Sequence, residues 1–204
     1  EENQEYRFNI IDTPGHIDFT VEVKRSLRVI DGAVVVFDGV SGVEPQSETN
    51  WRYADEYGVP RICFINKLDR MGANFVEDIK SIQEKLNPNA IPIQIPIGLE
   101  SAFEGVIDLL KMKAYYFEGE KGEKIIEKDI PENSKAEAAE YRHHLIDKIV
   151  EQDDKMMSDY LDGKSGRMLG ELRGSVFYQS PRRRKISPLC RILPWIIWTG
   201  AVAR

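Results

Sequence analysis

Three short apolar runs, Phe8–Ile11, Ala33–Phe37 and Ile62–Ile65, mark the N-terminal part of the chain, each closed by a polar cluster and followed by a stretch of helical character. That order predicts a βαβαβα arrangement and a doubly wound α/β sheet. The middle run, Ala33-Val34-Val35-Val36-Phe37, has no polar alternation, which predicts a parallel strand covered on both faces. One helix is expected between Pro45, near its start, and Gly58, just past its end. Another follows from Phe75, Ile79, Ile82 and Leu86, which recur at helical spacing until Asn87-Pro88 stops them. Trp51 and Tyr53, inside a predicted helix, read as packing residues.

Beyond Pro88 the period shortens to two, with Ile91, Ile93, Ile95 and Ile97 on one face and Pro92, Gln94 and Pro96 on the other. Two prolines suit an edge strand. Further strands are expected at Val106–Leu109, Lys113–Phe117 and Lys124–Glu127, separated by turns such as Gly119-Glu120-Lys121-Gly122. A long helix is expected to begin at a capping box, Ser134-x-x-Glu137, and to carry Tyr141, Leu145, Ile149, Met156 and Tyr160 on one stripe to about Leu161. These patterns divide the chain into 1–90, 91–162 and 163–204.

Charge sharpens the last boundary. The 204 residues carry a formal charge of −6, but residues 1–162 hold 19 basic and 33 acidic side chains, whereas residues 163–204 hold 9 and 1. The final segment contains Arg182-Arg183-Arg184-Lys185, and its apolar stretch from Ile192 to Val202, broken by Pro194, follows neither period for long. Its composition resembles a segment that is disordered or read out of frame; the rival reading is a basic, aromatic-bearing RNA-binding tail. Cys63 and Cys190 lack the spacing of a disulfide framework or a zinc site. No run approaches the roughly 20 apolar residues of a membrane helix, and Glu1-Glu2-Asn3-Gln4 is unlike a secretory leader. A cytoplasmic protein is expected, with a mitochondrial matrix location also compatible, and no membrane or DNA partner.

Two clusters carry chemistry. Asp12-Thr13-Pro14-Gly15-His16 follows the first apolar run, at what would be the carboxyl edge of the sheet, where ligands of open α/β folds collect. There an Asp can hold Mg²⁺ through water, a Gly lets a backbone N–H approach a terminal phosphate, and His16 can orient an attacking water. Alone, Asp-x-x-Gly is also an ordinary turn. Asn66-Lys67-Leu68-Asp69 stands 54 residues after Asp12, at the tip of the third run. A carboxylate accepts from both the ring N–H and the exocyclic amine of guanine, Asn serves the opposite edge, and a Lys stem lies along the ring. Adenine offers that carboxylate the wrong donors, so the pair of clusters selects GTP over ATP. His143-His144 point about 100° apart on a helix and read as surface residues, and Lys24, Arg25 and Arg28 suit either an RNA backbone or a salt-bridged face.

Residues 6–75, including Gly42-Val43-Glu44-Pro45-Gln46-Ser47-Glu48-Thr49 and Val59-Pro60-Arg61-Ile62, resemble the elongation factor G family of translational GTPases. Residues 91–162 are similar to the subdomain that this family inserts after its guanine-recognition strand. The resemblance implies an incomplete doubly wound P-loop GTPase sheet with an inserted α+β subdomain, and a parent enzyme that hydrolyses GTP as tRNA and mRNA move on the ribosome. It assigns the Mg²⁺ water shell to Asp12, the γ-phosphate to Gly15, water positioning to His16, and guanine to Asn66, Lys67 and Asp69; Thr13 and Pro14 complete the nucleotide-binding turn. Residues 15–24 would be the mobile switch. The implied ligands are GTP or GDP with Mg²⁺, and the partners are ribosomal RNA and the ribosomal stalk protein, bound by a monomer. The insert, with 9 basic and 17 acidic side chains, would offer the stalk protein an acidic surface.

The family's phosphate loop, G-x-x-x-x-G-K-[ST], does not occur in these residues, so this stretch by itself is expected to hold GTP weakly and not to hydrolyse it. Gly174-Ser175-Val176-Phe177 is a faint echo of the next guanine motif, with no apolar strand before it. Two other readings therefore stand beside the GTPase: an inactive fragment that binds ribosome or stalk protein, and an RNA-binding module using the basic tail.

Overall fold

A computed structural model describes residues 7, 9–13, 20–119, 122, 124–151, 157, 158, 160 and 195–199. In chain order the elements are α1 (Thr20–Leu27), β1 (Ala33–Asp38), α2 (Pro45–Glu56), β2 (Arg61–Asn66), α3 (Phe75–Lys85), β3 (Ile91–Pro92), β4 (Gln94–Ile97), β5 (Gly105–Asp108), β6 (Lys113–Glu118), β7 (Lys124–Lys128), α4 (Glu132–Val150) and β8 (Trp195–Thr199). They form two sheets. One is parallel, in the order β1-β2-β8-β3; the other is an antiparallel meander, β4-β5-β6-β7. The α/β class expected from the pattern is what the chain adopts.

Local chemistry explains the helices. Pro45 opens α2, where its missing N–H costs nothing, and α2 closes as Val59 N–H donates back to Ala54 O at 2.9 Å across Gly58, whose φ of +62° suits glycine. Asn74 caps α3 by accepting from Glu77 N–H at 3.2 Å, and Phe75, Ile79 and Ile82 turn inward at the expected spacing. Trp51 is buried as expected, with the Arg61 guanidinium 4.3 Å over its ring. Arg61 is itself buried, and donates to Trp51 O at 2.6 Å and to the Asp55 carboxylate.

The core runs continuously from the parallel sheet to the meander, through Phe37, Ile65, Leu68, Ile82, Ile95, Ile107, Leu109, Leu145 and Ile149. Arg142 locks α4 down by donating to the carbonyls of Leu109 and Leu110 as the chain leaves β5. No helix among the described residues is long and apolar enough to cross a membrane.

Five expectations are corrected. Residues 9–13 form no strand, and Ile10 is 89% exposed: an apolar run becomes a strand only where a ladder receives it, and none does here among the described residues. The β1 run is not covered on both faces, since Val34 and Val36 are 61% and 57% exposed while Phe37 is buried; among the described residues only one face of β1 meets the core. The isoleucine run Ile91–Ile97 is two strands. Pro92 pairs in the parallel sheet with Ile197, Gln94 pairs in the meander with Asp108, and Ile93 is the crossing point. The long helix starts at Glu132 behind Pro131, so Ser134 lies in its first turn and no side chain caps it. Finally, Trp195–Thr199 is a strand, parallel to both β2 and β3. Its backbone pairs with β2 on one side and with β3 on the other, which gives the order β1-β2-β8-β3. The remainder of residues 163–204 lies outside the described residues.

Candidate functional site

The parallel register of β1 and β2 sets Asp38 directly across from Asn66, so both strands end together in polar residues. Lys67 then leaves β2 with a left-handed backbone, φ 64°, and its N–H donates to Asn66 Oδ1 at 2.8 Å. This turn directs the Lys67 ammonium to Asp38 Oδ2, 2.6 Å away, while Asp38 Oδ1 accepts from Val40 N–H at 3.0 Å. Arg70 approaches the same carboxylate at 3.9 Å. The Lys67 hydrogen bond outweighs desolvation and holds Asp38 below the usual carboxylate range. Gly39 N–H donates to Asn66 O at 2.8 Å, and Asn74 N–H to Gly39 O at 2.9 Å, which ties the β1 tip, the β2 tip and the start of α3 into one frame.

Beneath this frame lie two buried residues of opposite character. Leu68 is fully enclosed and anchors the loop. Asp78, in the first turn of α3, is 3% exposed, and its Oδ2 has no hydrogen-bond partner among the described residues. Burial, with the charge of Asp38 added, pushes its carboxyl up to about 7. The folded protein therefore holds a proton there that the unfolded chain, with an Asp pKa of about 4, releases. Stability is expected to fall as pH rises from about 4 to about 7 and to level off above that. In Asp78→Asn that slope should be missing, leaving the variant more stable than the parent at pH 8 by about 1–2 kcal/mol, since the helix N-terminus offsets part of the penalty. Urea midpoints across this pH range test it; parallel curves for the two proteins would refute it. Asp38 acts in a separate window: its lowered pKa gives a contribution complete above about 4 that fades as pH falls through the lowered value.

Asn66, Lys67 and Asp69 therefore share one strand tip, as their spacing predicts. Asp12 is exposed and Thr13 partly so, on a segment that is not a strand; Pro14, Gly15 and His16 lie outside the described residues, as does the first half of the 15–24 switch, while its second half is the start of α1. Lys24 Nζ sits 4.0 Å from the Tyr53 ring centroid and the Arg28 guanidinium 5.8 Å from that of Tyr57, so both engage α2 and its end rather than standing clear. His143 and His144 are exposed on α4. Cys63 is buried, which pushes its thiol up to about 12 and leaves it unreactive; Cys190 lies outside the described residues.

Sequence reasoning missed Asp38. The signal was available, because Asp38 closes one apolar run just as Asn66 closes the next, but only the register shows that the two meet.

The model of the elongation factor Tu GTP binding domain family matches residues 2–169. The chain belongs to this family. Elongation factor G 1 of Bdellovibrio bacteriovorus is 56% identical over 162 residues, covering 79% of this chain and 23% of that protein. A crystal structure of a Thermus thermophilus protein superposes with a TM-score of 0.76 at 26% identity, over 93% of this chain and 26% of its own. This member of the elongation factor Tu GTP binding domain family thus spans about a quarter of the length of these two relatives. The family match ends at residue 169, so most of the basic tail falls beyond it.

Proposed function

We propose that the chain is the guanine-reading part of a translation elongation factor of the G type, whose whole protein hydrolyses GTP as tRNA and mRNA move on the ribosome. The observation that carries this reading is the Asn66-Lys67-Leu68-Asp69 turn at a parallel strand tip, with Lys67 held by Asp38 at 2.6 Å. A fixed ammonium lays the Lys67 stem where a planar base can rest on it, and Asp69 offers the two acceptors that guanine needs. Asn66 would meet the opposite edge of the base. Asp12 is an exposed carboxylate, a hard oxygen donor suited to the water shell of Mg²⁺, which would neutralise phosphate charge when bound. Gly15 and His16 take the γ-phosphate and the hydrolytic water in this reading. Ribosomal RNA and the stalk protein are the proposed partners, the latter through the acidic 91–162 segment, with the protein acting as a cytoplasmic monomer.

The test is amide chemical-shift mapping with GDP and with ADP at millimolar concentration. GDP should move the signals of residues 66–72, and ADP should leave them in place. In Asp69→Ala, losing two charge-assisted hydrogen bonds should weaken GDP at least about tenfold. Equal responses to the two nucleotides would sink the reading.

A further inference from the structure

The loop that carries Asp69 is held at two points by one residue from the other sheet. Glu100 follows β4, outside the nucleotide motif, in a three-residue 3₁₀ turn, Glu100–Ala102. Its backbone N–H donates to Leu68 O at 2.8 Å, and its Oε1 accepts from Gly72 N–H at 2.6 Å. The two contacts bracket Asp69: one fixes the carbonyl just before it, the other an amide three residues after it. Across the bracket the loop closes on itself through Arg70 N–H to Lys67 O, 3.1 Å, and Ala73 N–H to Arg70 O, 3.1 Å, bonds that join Arg70 to the residues just outside each end.

Two non-glycine residues meet here in left-handed backbone conformations, Lys67 at φ 64° and Glu100 at φ 55°. Such conformations cost free energy and persist only where the surroundings determine them. The turn that presents Glu100 is built around Gly98, at φ +73°, where a Cβ would come within 1.9 Å of Ala102 O, so no side chain fits. The sequence thus maintains a constrained turn in one sheet whose described contacts reach the guanine loop of the other.

We propose that Glu100 is a positioning residue for guanine recognition, through which the antiparallel sheet sets the affinity of the Asp69 loop for the base. The inference rests on the guanine reading given above. Glu100 does not touch the base in this account. It holds the loop so that the Asp69 carboxylate is presented in one orientation, and without it the loop must be ordered when the nucleotide binds. Any partner that shifts the β4–β5 turn would then change guanine affinity from outside the nucleotide site.

The experiment measures GDP and ADP affinity by shift titration, with urea midpoints, for the full chain and for Glu100→Ala, Glu100→Asp and Glu100→Gln. Alanine removes the acceptor and aspartate withdraws it by one methylene, so both should weaken GDP about tenfold and leave ADP unchanged. Glutamine keeps a carbonyl oxygen at the same reach and should restore affinity to within about threefold of the parent. A merely structural residue would shift the urea midpoint without moving the GDP-to-ADP ratio. If the alanine variant fails to fold, the aspartate and glutamine variants decide. Unchanged GDP affinity in the alanine or aspartate variant overturns the inference while leaving the guanine reading intact. A parent chain that does not distinguish GDP from ADP overturns both.

Discussion

Leu68→Ala is expected to lower folding stability by about 3 kcal/mol and, with it, to erase the proposed preference for guanine. Leu68 is the unspecified position of Asn66-Lys67-Leu68-Asp69, yet it is the one member of the four that is fully buried. Its packing is tight: a Cβ placed on Gly39 would lie 2.9 Å from Leu68 Cδ2. Truncation leaves a cavity directly behind the loop, and the frame around it relaxes only partly, because Leu68 O is bound to Glu100 N–H and Gly39 N–H to Asn66 O. Met71→Ala, three residues along but 88% exposed, is the control and should stay within about 0.5 kcal/mol of the parent. Urea denaturation gives the stabilities, and the GDP titration gives the site. A Leu68→Ala protein as stable as Met71→Ala would mean that the loop is not anchored through this side chain.

Gly105→Ala should be at least as damaging, for a different reason. Gly105 opens β5 opposite Tyr116, and a Cβ there would lie 2.1 Å from Tyr115 O. The obstacle is backbone, fixed by the ladder between β5 and β6, so no rotamer change relieves it. A cost of about 3 kcal/mol or more is expected, borne locally by the meander. Hydrogen exchange should show lost protection across β4–β7, with β1 and β2 less affected. Wild-type protection in the meander would contradict the steric argument. Gly58→Ala is the useful contrast: no atom lies within 4 Å of the new methyl, so only the left-handed backbone opposes it, at about 1–2 kcal/mol.

Much of this fold was legible in the residues because its helices and meander strands are set by local signals. Pro45 and Gly58 bracket α2, Asn74 caps α3, and the strands read at Val106, Lys113 and Lys124 appear as β5, β6 and β7 within a residue or so at each end. Each depends on neighbours within a few positions. The misreadings share the opposite property. The run at residues 8–11 looks like a strand and finds no ladder among the described residues; the isoleucine run at 91–97 keeps one period while crossing between sheets; Ser134-x-x-Glu137 has the letters of a cap, but Pro131 and Glu132 start the helix first. Periodicity reports which face of a segment is apolar, and says nothing about which partner will bind its edge.

The site divides along the same line. The proposal that guanine is the base, and that Asn66, Lys67 and Asp69 read it, rests on residue type and spacing alone, since hydrogen-bonding complementarity belongs to the side chains themselves. That Lys67 is held by Asp38, that Asp78 lies buried beneath the frame with its carboxyl raised to about 7, and that Glu100 clasps the loop from another sheet were decided only by tertiary structure. These partners lie between 11 and 33 residues away from Lys67 along the chain. Contacts at such separations form because parallel strands align their carboxyl ends and a buried core draws two sheets together, which no local pattern of residues encodes.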